Sequence, residues 1–413
     1  MSIFEKLSKQ RWNILAIALF FSVAVSWRFT DVCFVLLIAT VLFDSYRDGW
    51  KSLRGMFSEL KVLNILVIVF VLANLLGYLT ATEFGPRQID EMLSLRWILS
   101  FYACVYMGRK LQYDKVNVDA LSIVYVVLLL FGVCYQYFLT ARTGRLEGFF
   151  GNANIFAYTV IIPWAVFLTL ESFEYVNSKR NNFFLLAAIV AISVMVFFTQ
   201  GRGTWLAMAI VFLALSALLK IKRNAFVIVG VAVLALGMYF GNIFGFKDRI
   251  LYSFDFAAGS AQGVRAGLWR MNWEMFKDHP LFGIGLHENF RMLEVYYSKF
   301  SLINREVGAN INYINHAHNQ LLQVLTGSGI VGGFAYIAIM VIGLKFFYSN
   351  YRSQVGVYKN IALAGLFVLV AHIATGLVDC PLMVHQSRSY LLLFSGVFVG
   401  ALMPLRRGTA SIV

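Results

Sequence analysis

Two histidines one residue apart, His316 and His318, stand at the head of an apolar stretch formed by Leu321, Leu322, Val324 and Leu325. Imidazole is the side chain best matched to proton transfer near neutral pH. The run His318, Asn319, Gln320 predicts the first turn of a helix. A helix start offers unpaired N–H groups and a partial positive charge, which suit an anionic substrate. Thr326 to Gly329 should then loosen the backbone before a membrane span beginning near Ile330. Arginines are set in three further patches. Arg142 and Arg145 precede Asn152 and Asn154; Arg202 lies in Gln200-Gly201-Arg202-Gly203-Thr204; Arg265 is followed by Trp269 and Trp273 at helical spacing. The guanidinium fork matches phosphate oxygens, and such clamps stabilise a phosphate leaving group. Together these residue types specify proton abstraction beside a departing phosphate.

Each residue also has a plainer reading. The histidines could sit in an interfacial loop, and Arg202 could reach to the interface from a hairpin tip, although its flanking glycines leave room for a ligand. Arg142, Arg145 and Arg265 could be solvated charges, and Trp269 and Trp273 interface anchors. His279 and His287 have no evident partner. His372 and Asp379 suit a structural hydrogen bond, with Asp379 a weaker candidate for orienting a histidine.

The elements that must position these groups are membrane spans. Apolar residues make up 60% of the 413 and charged ones 14%, with a mean hydropathy of +0.72; soluble chains carry about 25% charged residues. The expected fold class is therefore an all-α integral membrane protein. About 12 segments approach the length needed to cross roughly 30 Å of hydrocarbon: 12–27, 32–43, 62–80, 93–108, 120–139, 154–170, 183–198, 204–219, 225–240, 330–347, 361–378 and 390–405. The second is short enough to suggest a re-entrant or tilted segment. The first follows Lys6, Lys9 and Arg11 but lacks a cleavage site of small residues, so it is expected to stay in place.

Basic residues concentrate on alternate connections, which predicts cytoplasmic termini and an outward-facing long loop, 246–315, between the ninth and tenth spans of a single polytopic domain covering 1–413. The net charge of +14 is thus a topology signal and not a nucleic-acid footprint. Within the loop, residues 265–276 predict an amphipathic helix at the membrane–water boundary. The four cysteines are scattered and read as packing residues. No metal-ligand spacing, Walker motif or dinucleotide fingerprint occurs, so neither a metal nor another cofactor is expected. An outward-facing site has no access to sugar nucleotides, so an energy-rich donor must arrive on a lipid, and an undecaprenyl-type diphosphate sugar fits.

At these patches the chain resembles the O-antigen ligase/polymerase superfamily of bacterial glycosyltransferases. The resemblance rests on Arg145, Gly148, Phe149 and Asn154; on Gln200-Gly-Arg-Gly-Thr-Trp205; on Arg265 and Trp269 followed by His279-Pro-Leu-Phe-Gly283; and on His318, Asn319, Leu322 and Gly329. It is most similar to the lipopolysaccharide O-antigen ligases. That likeness implies a GT-C-like helical fold in the bacterial inner membrane, with the active site facing the periplasm. It also implies metal-independent, inverting transfer of O-antigen polysaccharide from undecaprenyl diphosphate to the sugar of lipid A–core. His318, Arg202 and Arg265 match the positions that the family uses for catalysis. Arg145, Asn154, His316, Asn319, Gln200 and Trp269 are expected to bind substrate. The same donor chemistry serves an O-antigen polymerase or a protein O-oligosaccharyltransferase. A lipid-linked sugar flippase is the alternative from another class, disfavoured by spans that are nearly free of charge.

Overall fold

The computed structural model describes residues 3–80, 95–113, 117–140, 145–178, 182–220, 246–251, 261–289 and 316–403, with isolated positions between them. Among the described residues the chain is all-helical. In chain order the helices are α1 (Ile3–Val25), α2 (Trp27–Arg47), α3 (Lys51–Glu59), α4 (Lys61–Thr80), α5 (Trp97–Gly108), α6 (Val118–Cys134), α7 (Ala153–Ser178), α8 (Phe183–Phe198), α9 (Arg202–Leu219), α10 (Phe246–Leu251), α11 (Ala261–Asp278), α12 (Gln320–Ser353), α13 (Gly356–Gly376) and α14 (His385–Leu402).

Seven of these helices are long and apolar enough to cross a membrane: α2, α4, α6 with its continuation to Phe138, α7, α9, α12 and α13. Shorter apolar stretches lie at Gln10–Val25, Trp97–Gly108 and Phe183–Phe198. Most of the ninth expected span, 225–240, lies outside the described residues, as do Arg142 and much of the 246–315 loop. The second expected span requires correction. It is a full helix of 21 residues, Trp27–Arg47, and not a re-entrant segment. Arg28, Asp31, Asp44 and Arg47 interrupt the apolar run at its ends without interrupting the helix, because charged side chains at a membrane boundary reach toward water.

Helices α7 and α13 form the centre of the bundle, buried along most of their length. With no hydrophobic drive between helices in lipid, close approach through small residues supplies contact area. Helix α14 carries Gly396 and Gly400, four residues apart, against α5. A methyl group at Gly400 would come 2.1 Å from the Val105 carbonyl oxygen, and one at Gly108 2.2 Å from that of Val397.

The two ends of the bundle differ. At one, Asp44 near the end of α2 pairs with Arg11, accepts from the Tyr106 hydroxyl at 2.8 Å and lies 3.5 Å from Lys110. At the other, about 30 Å away along α2, lie the start of α12, the end of α13 and the start of α14. This second end carries His316, His318 and Asp379.

Candidate functional site

Helix α12 begins two residues later than the sequence suggests, at Gln320. Asn319 is its N-cap, in extended conformation, with the side-chain oxygen accepting from Leu322 N–H at 3.0 Å. Its amide donates to the Leu377 carbonyl at 3.2 Å, so Asn319 is engaged in holding α12 to the end of α13. His318 therefore lies outside the helix, in the left-handed region with φ of 49°. This conformation is uncommon for a residue with a side chain and is found at sites held by their surroundings. The holding groups are visible: His318 N–H donates to His316 Nδ1 at 3.3 Å, and Ala317 N–H donates to the buried Gln323 side chain at 2.8 Å.

The expected loosening at Thr326–Gly329 is a break with its own partner. Gly329 has φ of 61° and ψ of −166° inside α12. Backbone groups freed by such a break must find partners within the membrane. The segment after α11 provides them: Ile284 N–H donates to Thr326 O at 3.0 Å, Gly285 N–H to Gly327 O at 2.8 Å, and Ile330 N–H to Pro280 O at 2.8 Å. A buried amide chain extends this tie, with Gln323 donating to Asn289 at 2.8 Å, Asn289 to Asn272 on α11, and Thr326 to the Asn272 carbonyl at 3.1 Å. Helix α11 is thereby fixed against α12. It buries Leu268, Met271 and Met275 and exposes Trp269 and Trp273, the amphipathic division expected from sequence.

Asp379, 1% exposed, is the centre of the site. Its Oδ2 accepts from the Tyr158 hydroxyl of α7 and lies 3.1 Å from His318 Nδ1; Oδ1 accepts from Cys380 N–H at 2.8 Å and lies 3.6 Å from His316 Nε2. Burial pushes the carboxyl up, but the His318 hydrogen bond, the two imidazoles and Tyr158 together hold it below the usual carboxylate range. An ionised carboxylate can only accept, so His318 Nδ1 is the donor in this contact. Burial pushes His316 down to about 4, with Asp379 opposing and His318 and Arg265 adding to the depression. His316 is thus neutral at pH 7, and its Nδ1 is already an acceptor.

The arginines come from three other elements. The half-buried Arg265 on α11 projects charge onto both His316 and Tyr158, and Arg145 also acts on Tyr158. Arg145 is bound on two sides, Nε to the Thr199 carbonyl at 2.6 Å and a terminal nitrogen to Asn154 Oδ1 at 2.7 Å. These two expected substrate-binding residues therefore bind each other and tie the start of α7 to the α8–α9 hairpin. Gln200 takes the left-handed turn in that hairpin, with φ of 54°. Arg202 opens α9. Its neighbours fix the location: a methyl at Gly201 would lie 3.6 Å from Ala157, beside Tyr158, and one at Gly203 would lie 2.6 Å from Val378, beside Asp379. Trp269 is 41% exposed on the outer face of α11, as an interface anchor would be.

Sequence reasoning underweighted Asp379 and did not find Tyr158. The available signal was a carboxylate next to a nearly charge-free span, which demands a partner when buried. His372, by contrast, makes the structural bond expected of it, 3.1 Å from the Tyr336 hydroxyl. His316, His318 and Asp379 also offer three ligand atoms within 4.8 Å of one another, a grouping that could hold a metal ion and that sequence spacing did not disclose. Tyr158, His318 and the Cys380 N–H already occupy the carboxylate, and the nearby Arg265 charge opposes a divalent cation.

Comparison with known proteins adds two findings. Residues 187–337, which include Arg202, Arg265, His316 and His318, match the sequence profile of a family described as O-antigen ligase. An uncharacterised protein of Haemophilus influenzae is 24% identical over 309 residues, 70% of this chain and 73% of the relative.

Proposed function

We propose that this O-antigen ligase family member transfers O-antigen polysaccharide from undecaprenyl diphosphate to a sugar hydroxyl of lipid A–core, at the periplasmic face of the inner membrane. The observation that carries this reading is the pairing of His318 with an ionised, buried Asp379 beside the charge of Arg265. The family implies glycosyltransferase activity with a lipid-linked donor; the donor, acceptor and face named here are the proposal.

In the proposed step the acceptor hydroxyl gives its proton to His318 Nε2 while its oxygen attacks the anomeric carbon. The bond from that carbon to the diphosphate oxygen breaks, and the electron pair leaves with the lipid diphosphate. Arg202 and Arg265 neutralise the departing charge. Asp379 fixes the tautomer of His318 and stabilises the imidazolium that forms, the division of labour known from histidine–aspartate pairs in acyl transfer. His316 has Nδ1 engaged and a depressed basicity, which favours His318 as the base. Arg145 and Asn154 shape the donor side through the hairpin they anchor, and no step draws on a metal. One direct displacement inverts the anomeric centre. General-base action contributes about 10²–10⁴-fold, and each well-placed charge donor about 10²–10³-fold.

Reconstitution of the purified protein tests the reading. Lipid-diphosphate glycan is offered with lipid A–core, with unglycosylated protein, or with a second donor molecule, each with and without chelator. Product only in the first arm, insensitive to chelator, is expected. Product in the second or third arm would reassign the chain to protein glycosylation or polymerisation. His318→Ala, Arg202→Ala and Arg265→Ala should each abolish product while the protein remains folded, and normal activity in any one removes that residue from the mechanism.

A further inference from the structure

At the same end of the bundle, three arginines outside the site above gather where α2, α5 and α14 begin. Arg28 lies 5.2 Å over the Trp27 ring, and Arg388 lies 5.5 Å over the Trp97 ring while donating to the Leu382 carbonyl at 3.1 Å. Arg96, exposed beside Trp97, acts electrostatically on both Arg388 and His385. Asp31 acts electrostatically on Arg388 and lies 2.9 Å from His385 Nε2, while His385 Nδ1 is buried with no hydrogen-bond partner. Among the described residues no carboxylate lies within ion-pair distance of Arg28 or Arg388. Cations at helix N-termini are disfavoured by the helix dipole, and an anion at the same place is favoured twice over, by the dipoles and by the arginines.

A second feature adjoins this cluster. Trp97 and Leu382, the two groups that Arg388 touches, also line an apolar cavity of about 180 Å³ among α4, α5, α12, α13 and α14, with Phe70, Phe101, Tyr336 and Leu392. Its lining is almost wholly apolar, and it is larger than the roughly 150 Å³ cavity that accommodates benzene. A cationic, aromatic-rimmed mouth over a hydrocarbon-lined slot is the shape of an amphiphile.

We propose that this is a lipid site distinct from the histidine centre. Arg28, Arg96 and Arg388 hold a headgroup phosphate, and one hydrocarbon chain enters the cavity beneath Trp97. In a transferase with two lipid substrates it would receive the phosphorylated acceptor lipid, a use that rests on the reaction proposed above; the binding itself does not.

Native mass spectrometry of the full chain in neutral detergent tests it, with dioleoyl phosphatidic acid, dioleoyl phosphatidylcholine and inorganic phosphate as probes. Phosphatidic acid should bind about tenfold more tightly than phosphatidylcholine. Arg28→Gln with Arg96→Gln, both on exposed side chains that leave the core untouched, should remove about that factor, and adding Arg388→Gln should remove the preference altogether. Ile339→Trp, which fills the cavity, should weaken phosphatidic acid without altering the binding of free phosphate. His318→Ala should leave all of these values unchanged, so failure of the transfer reaction and failure of this site are separable. Equal retention of the two lipids, or a preference for phosphatidic acid that survives all three arginine replacements, overturns the proposal.

Discussion

His318 Nδ1 and Asp379 Oδ2 lie 3.1 Å apart although 61 residues separate them in the chain. The contact crosses between the start of α12 and the loop after α13, and the left-handed backbone of His318 aims the ring into it. Loss of the carboxylate should therefore act through the histidine. Asp379→Asn keeps the shape but presents an amide that can donate to Nδ1 and favour the wrong tautomer. Transfer should fall by about 10²–10⁴-fold, the range of His318→Ala, and the double variant should be no worse than either single one. Losses that multiply would show that the two residues act separately.

Two half-buried histidines set an acid limit on stability. Burial pushes His316 and His287 down to about 4, from an ordinary value of 6.5. Each takes up a proton more readily once unfolded, so stability is intact above about pH 6.5 and declines as the pH falls toward 4. Asp379, held low in the folded state, adds a further loss only below the ordinary carboxylate range, near 3.8. Thermal unfolding in detergent should show Tm falling by on the order of 5 °C between pH 7 and pH 4.5. His287→Gln and His316→Asn should flatten that slope; an unchanged slope in both variants would contradict the assignment.

The break in α12 admits no side chains. Gly285 has φ of 96° and a methyl there would meet the Tyr78 ring at 2.4 Å; Gly329 has φ of 61° and a methyl would meet the Leu281 carbonyl oxygen at 2.2 Å. Gly285→Ala and Gly329→Ala should each destabilise by roughly 2–4 kcal/mol, combining left-handed backbone cost with overpacking. Gly49→Ala, also at positive φ but with open space around it, should cost only about 1–2 kcal/mol. Yields of folded protein after detergent extraction distinguish these cases.

Arg145 and Arg202 should respond differently to a charge-conserving change. Arg145 is held through Nε and a terminal nitrogen, a two-point contact that an ammonium cannot reproduce. Arg145→Lys should therefore lower thermal stability as well as activity. Arg202→Lys should reduce turnover, because an ammonium cannot supply the paired contacts that a guanidinium makes to a diphosphate. Parallel measurement of Tm and rate checks both.

The sequence made the local signals legible and left the long-range ones hidden. Hydropathy located most helices, and the spacing of Leu268, Met271 and Met275 disclosed the buried face of α11 because periodicity is a local property. The ends of α2 were truncated by charges that sit comfortably at a membrane boundary. The role of Asp379 and the presence of Tyr158 were hidden for a different reason: their meaning comes from residues 61 and 221 positions away, and no spacing rule reaches so far. Arg28, Arg96 and Arg388 are scattered along the sequence, and their proximity depends on the order in which three helices pack.

The backbone bonds between 280–285 and 326–331 make the stretch that follows α11 part of the packing of α12. Grafting the 246–315 segment from a related protein would cut through this seam if the junctions were set at the visible helix ends. Crossovers at about residues 260 and 345 would instead transplant the loop together with the half of α12 it is sewn to, and only such chimaeras should reach the membrane intact.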